Sequence, residues 1–200
     1  MLQSHFTLQR TIRKEACWVL SNVAAGTQKQ IGTVFKAGME YVVDLAMNGE
    51  WEVRKEAIWV LSNIATGGTP GQVMSVVECG AIDGVCSILN VNDTKMLLVA
   101  LDAVSNILKV GADNGKDYVS FVDECDGLMH IEELQEHESE EVYNHAVKII
   151  ETYFGVEDGA EDENLAPMID GNTFSFGVPQ KDLDASFEAE PVYNFNFAPM

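Results

Sequence analysis

Val53, Ala57, Val60, Leu61 and Ile64 recur at spacings of three and four, which is the period of a buried helix face and not the alternation of a pleated strand. The frequent Val and Ile are therefore helical positions. The surrounding pattern predicts a short helix near 28–37, a second near 39–47 and a third near 51–65, the last stopped by Gly67-Gly68-Thr69-Pro70. Lys36-Ala37-Gly38-Met39 and Glu78-Cys79-Gly80-Ala81 each set a Gly between two apolar stretches, 42 residues apart, so the division into shorter helices recurs.

The longest self-similarity has nearly the same period. Ile12-Arg13-Lys14-Glu15-Ala16-Cys17-Trp18-Val19-Leu20-Ser21-Asn22 returns 41 positions later as Val53-Arg54-Lys55-Glu56-Ala57-Ile58-Trp59-Val60-Leu61-Ser62-Asn63. A weaker copy, Leu101-Asp102-Ala103-Val104-Ser105-Asn106-Ile107-Leu108, places Asn106 43 residues after Asn63, and Ala146-Val147-Lys148-Ile149-Ile150 keeps only the apolar pattern. Three helices in about 42 residues is an armadillo layout, whose units close a core only by stacking on their neighbours.

Trp18 and Asn22, like Trp59 and Asn63, are four apart and share a helix face. Stacked third helices roughly 10 Å apart would make a ladder of indoles and carboxamides. A carboxamide both donates and accepts, so it can hold the main chain of an extended peptide. Slots between indoles can take Lys or Arg stems, gaining about 0.5–2 kcal/mol each from cation–π attraction. Glu15 and Glu56, three residues before each Trp, could offset the ligand charge. A single helical Trp is most simply a core residue; here the ring recurs with an Asn, a poor helix former, which favours binding. In the third unit Asp102 stands at the Trp position, leaving Asn106 either structural or at the edge of the ladder.

Composition narrows the partner. Lys and Arg total 12 against 32 Asp and Glu, a formal charge of −20, which disfavours direct contact with nucleic acid or anionic membrane and favours cationic partners. Cys17, Cys79, Cys86 and Cys125 form neither a metal motif nor a disulfide framework, and a reducing compartment fits them. There is no 18-residue apolar run and no secretory start, so the chain reads as soluble and intracellular. His5, His130, His137 and His145 are scattered, although His130 and His137, seven apart, could share a helix face. Neither a phosphate loop nor HExxH occurs, so no enzyme, cofactor or metal site is expected.

Arg-Lys-Glu-Ala-Cys-Trp-Val-Leu-Ser-Asn followed by Val-Ala-Ala-Gly-Thr closely resembles an armadillo repeat of the importin-alpha (karyopherin alpha) family, and the likeness runs from about residue 11 to 155. It implies an all-α, right-handed superhelical solenoid of about four armadillo repeats over residues 1–155, the first partial, followed by a disordered tail over 156–200. It also implies a nuclear import adaptor shuttling between cytoplasm and nucleus. The family's minor groove for nuclear localisation signals carries over to Trp18, Ser21, Asn22, Glu56, Trp59 and Asn63, with Glu15 beside them. The basic segment that recruits importin-beta and the repeats of the major groove have no counterpart. Met1-Leu2-Gln3-Ser4 resembles the end of a repeat's second helix, so the chain is expected to begin inside a repeat.

Asp123 to Glu141 holds nine carboxylates and no Lys or Arg, which is either a solvated face or a docking surface. The resemblance makes it a contact region for the export receptor that recycles importin-alpha, with Glu132, Glu133 and Glu136 as the facing residues. Past Gly155 the helical period stops; ten acids against Lys181, with Pro167, Pro179, Pro191 and Pro199, predict disorder. Phe174-Ser175-Phe176-Gly177 has the form of a nucleoporin FxFG repeat. Two rival readings remain: a C-terminal fragment that binds other proteins without carrying cargo, and a general armadillo scaffold with a basic groove. The second is disfavoured because Trp, Asn and Glu stand where such a groove needs Lys and Arg.

Overall fold

Ten α-helices follow one another in the computed structural model, which describes residues 2–155, with side chains from Gln9 onward, and the backbone of 168–170 and 173–175. They are α1 (Leu2–Ala24), α2 (Gln28–Lys36), α3 (Met39–Asn48), α4 (Trp51–Gly67) and α5 (Pro70–Glu78), then α6 (Ala81–Cys86), α7 (Thr94–Asp113), α8 (Tyr118–Glu124), α9 (Gly127–Glu133) and α10 (Glu140–Ile149). A 3-10 turn (Leu134–Glu136) precedes α10 and a π turn (Ile150–Phe154) follows it.

Local chemistry explains the repeated boundaries. Thr27 caps α2 and Thr69 caps α5, and each forms a reciprocal capping box, with Gln30 and Gln72 respectively. Pro70 adds the fixed φ suited to a first helical turn. Asp93 and Asp117 cap α7 and α8 by accepting from the Met96 and Ser120 N–H groups. The bend between first and second helices uses a left-handed residue each time: Gly38 at φ 105°, Gly80 at φ 88° and Asp126 at φ 60°. In the third bend Asp stands at the glycine position.

The long helices α1, α4, α7 and α10 stack in sequence, and α3, α6 and α9 form a second row beside them. Cross-helix pairs fix their direction. Lys14, midway along α1, meets Glu52 at the start of α4, while Ser21 and Asn63 meet near the ends of both. Asn106 reaches Thr66 between α7 and α4, and His145 reaches Asp102 between α10 and α7. α1 and α4 therefore run parallel. Val53, Ala57, Val60, Leu61 and Ile64 are all buried, as the three-four period predicts, in one core continuous from Cys17 to Ile149.

Two sequence expectations change. Helix α1 is unbroken from Leu2 to Ala24, so Leu2–Ser4 is not the end of a separate second helix; no Gly or Pro interrupts the run before Thr11. His130 lies on α9 but His137 lies beyond the 3-10 turn, where its Nδ1 accepts the Ser139 N–H at 3.0 Å, so the two share no helix face.

The chain divides after Gly155. In the second part the described residues form an antiparallel pair, β1 (Met168–Asp170) with β2 (Thr173–Ser175). Two residues, Gly171-Asn172, separate the strands in the sequence, a spacing typical of short hairpins. The expectation for the rest of 156–200, including Phe176 and Gly177, lies outside the described residues.

Candidate functional site

The repeated Trp and Asn positions fall on α1 and α4. Trp18 is 52% exposed, while Trp59 is half-buried against the core. The Asn22 Nδ2 donates to the Trp18 carbonyl oxygen on its own helix at 2.7 Å. The Asn63 Nδ2 instead crosses to α1 and donates to the Ser21 carbonyl oxygen at 2.9 Å. One N–H of Asn63 is thus committed to the scaffold, leaving its Oδ1 and a second N–H for a ligand.

Ser21 is 7% exposed, and its hydroxyl donates to the Trp18 carbonyl oxygen at 2.8 Å. That side chain lies inside the wall; its carbonyl is the useful group, because it anchors Asn63. Glu15 is exposed and Glu56 half-buried. Burial first, and the Glu56 charge second, push the neighbouring Cys17 thiol up to about 11.

Several contributors are not evident from the Trp/Asn pattern alone. The Lys95 Nζ lies 5.5 Å from the Trp59 ring centroid, and the Lys55 Nζ lies 5.5 Å from that of Trp51. Arg54 donates to the Ala46 and Ser87 carbonyl oxygens and to the Ser87 hydroxyl, tying the ends of α3 and α6 together. Its counterpart Arg13 grips both oxygens of Glu50, at 2.6 and 2.8 Å. The recurrence of Arg at a 41-residue interval is the signal that could have revealed this structural pair.

On α7 the ladder gives way to inter-repeat ties. Asp102, at the Trp position, pairs with the His145 Nε2 at 3.2 Å, and Asn106 donates to the Thr66 Oγ1 at 3.2 Å and the Asp102 carbonyl oxygen at 2.9 Å. The Asn106 carboxamide nitrogen is thus committed to the scaffold. Further along, Glu133 and Glu136 line an open groove of about 650 Å³ with Asn92, Thr94 and His137; Glu132 is exposed outside it. Glu133 also meets the His130 Nδ1 at 3.3 Å.

Stacked three-helix units with a shared core define an armadillo-repeat protein. Residues 69–109 match the Armadillo/beta-catenin-like repeat family, and residues 116–168 match the Atypical Arm repeat family. A designed armadillo-repeat protein in complex with the peptide (KR)4 superposes with a TM-score of 0.59 at 30% identity, over 70% of this chain and 57% of that one. Importin subunit alpha-4 of Arabidopsis thaliana is 38% identical over 99% of this chain and 37% of its own length. Importin subunit alpha of Saccharomyces cerevisiae is 40% identical over 54% of this chain and 21% of its own length. The chain belongs to the importin-alpha family, and it spans little more than a third of the length of the longer of these two matches.

Proposed function

We propose that this chain acts within a nuclear import adaptor and that α1 and α4 hold a Lys/Arg-rich nuclear localisation peptide in extended form. The carrying observation is the parallel pair of helices bearing Trp18 with Asn22 and Trp59 with Asn63, joined by the Asn63–Ser21 bond. The peptide main chain runs along the two carboxamides, and its cationic stems pack against the indoles. Glu15 and Glu56 offset the ligand charge, and Ser21 acts through its carbonyl. The names of the curated relatives, and the designed relative in complex with (KR)4, support this reading.

The same reading gives the acidic groove carrying Glu133 and Glu136, with Glu132 beside it, to the nuclear export receptor, and the Phe174–Gly177 segment to nucleoporins. The protein then shuttles between cytoplasm and nucleus.

Fluorescence anisotropy with a labelled basic peptide tests the groove. Wild type binds, and the Trp18→Ala, Trp59→Ala double variant loses about tenfold or more in affinity, since two cation–π slots of about 0.5–2 kcal/mol each are removed. Equal binding by both proteins removes the ladder as the site. Binding by neither supports a chain that contacts other proteins without cargo, and preference for an acidic peptide supports the scaffold reading.

A further inference from the structure

Lys95 stands in the first turn of α7, and its ammonium lies 5.5 Å from the centroid of the Trp59 ring. The pair lines a groove of about 200 Å³ with Glu52, Lys55, Glu56, Asp93 and Met96. Among the described residues Lys95 makes no ion pair within 4.0 Å, although three carboxylates line the same groove. Its ammonium instead faces the indole ring. An ammonium against an indole, carried on a four-carbon stem, is also what a peptide lysine would present to that ring.

The repeat register makes this position unusual. The 43-residue step from Asn63 to Asn106 puts Glu52 on α4 where Lys95 sits on α7. An acid, held by Lys55 at 3.1 Å and Lys14 at 3.8 Å, occupies the position in one repeat, and a base occupies it in the next. Both residues line the Trp59 groove, and of the two it is the base that meets the ring.

We infer that Lys95 is an internal competitor for the Trp59 face, which a basic peptide must displace before its own cation can dock there. The inference rests on the reading of the α1–α4 groove as a site for Lys/Arg peptides, and it makes the two slots unequal. Trp18, largely exposed, takes a cation directly, whereas Trp59 takes one only in exchange for Lys95. A peptide with a single basic residue then docks at Trp18 and leaves Lys95 on Trp59.

Anisotropy with a labelled peptide of alternating Lys and Arg, on the full chain at low salt, tests this. Lys95→Ala is expected to tighten binding about three- to tenfold, and Lys95→Arg to stay within about twofold of wild type. Lys109→Ala removes an exposed charge elsewhere on α7 and is expected to change affinity by less than about twofold, which separates local displacement from general electrostatics. In a Trp59→Ala background, Lys95→Ala is expected to have no effect.

An unchanged or weaker Lys95→Ala variant overturns the inference. So does an equal gain from Lys109→Ala, or a gain that survives Trp59→Ala. If wild type binds and Trp59→Ala weakens it while Lys95→Ala changes nothing, the groove stands and only the role of Lys95 falls. If no variant binds the peptide, both readings fall together.

Discussion

Asn63 donates its carboxamide N–H across the stack to the Ser21 carbonyl oxygen at 2.9 Å, whereas Asn22, its counterpart one repeat earlier, donates to Trp18 on its own helix. The same residue type at the same repeat position thus couples two units in one case and only decorates a helix in the other. The Ser21 carbonyl also accepts the Ala25 N–H at 2.9 Å, so removing Asn63 leaves no orphaned acceptor. Asn22→Ala and Asn63→Ala share the same gain in helix propensity. The difference in their stabilities isolates the inter-repeat bond, and Asn63→Ala should be the weaker by about 1 kcal/mol. Urea unfolding of both variants checks this, and equal midpoints would assign the bond no net value.

The left-handed bends give three changes, two that destabilise and one that stabilises. At Gly80, φ 88°, an added Cβ meets nothing closer than the Val43 Cγ1 at 3.5 Å, so the cost of Gly80→Ala is conformational, about 1–2 kcal/mol. At Gly38 the added Cβ also meets the Tyr41 ring at 2.8 Å, and the loss should be larger. Asp126, at φ 60°, bears this strain already. Asp126→Gly relieves it while making the unfolded chain freer, for a net gain of about 0.5 kcal/mol. Thermal unfolding of the three variants should rank them Asp126→Gly, Gly80→Ala, Gly38→Ala from most to least stable.

Those bends also explain which features were legible in the sequence. The helices expected at 28–37, 39–47 and 51–65 are found at Gln28–Lys36, Met39–Asn48 and Trp51–Gly67, because Thr27, Gly38 and the Gly67-Gly68 stop act within a few residues of themselves. The buried stripe of α4 was legible for the same reason. The partners of Asn63, Asp102 and Lys95 lie on neighbouring repeats, 36 to 43 residues away, and depend on the stacking offset, which no local pattern encodes. A repeated Asn therefore showed a shared face without showing that one copy is already bonded to the scaffold. Asp126 was missed as a bend because Gly127, its neighbour, is the glycine in that segment. A Cβ at Gly127 would lie 2.7 Å from the Cys86 Sγ and the Val122 carbonyl oxygen, so this glycine serves close packing and not the turn.

The four thiols should separate by reactivity. Burial, then Glu56, hold Cys17 up at about 11. The side-chain hydrogen bond with Cys125, then burial, push Cys86 well above its ordinary value, while that same bond lowers Cys125. Burial raises half-buried Cys79. Iodoacetamide at about pH 8 should label Cys125 first, and peptide mapping by mass spectrometry reads the order. The Cys17 shift also has a stability consequence. Its folded value exceeds the ordinary 9.0, so the native state holds the proton more tightly. Its contribution is full below about pH 9 and is lost as pH rises toward about 11. Cys17→Ser should lose less stability than wild type across that window.

Charge and ring contributions to the proposed peptide site should respond differently to salt. Glu15 is exposed and Glu56 half-buried, so their attraction for a cationic peptide is screened as the Debye length falls from about 8 Å at 0.15 M to about 3 Å at 1 M. Trp18 and Trp59 act through apolar burial and close ring contact, which salt weakens far less. A Glu15→Gln, Glu56→Gln double variant should bind a basic peptide several-fold more weakly than wild type at low salt and converge with it near 1 M. Trp18→Ala should remain weaker at every salt concentration. Parallel salt dependence for the two variants would mean that the carboxylates and the indole do not act by separate mechanisms. Glu56→Gln also removes the smaller of the two causes that raise Cys17, so a fall in the Cys17 pKa would show that Glu56 keeps its place beside α1 in the free protein.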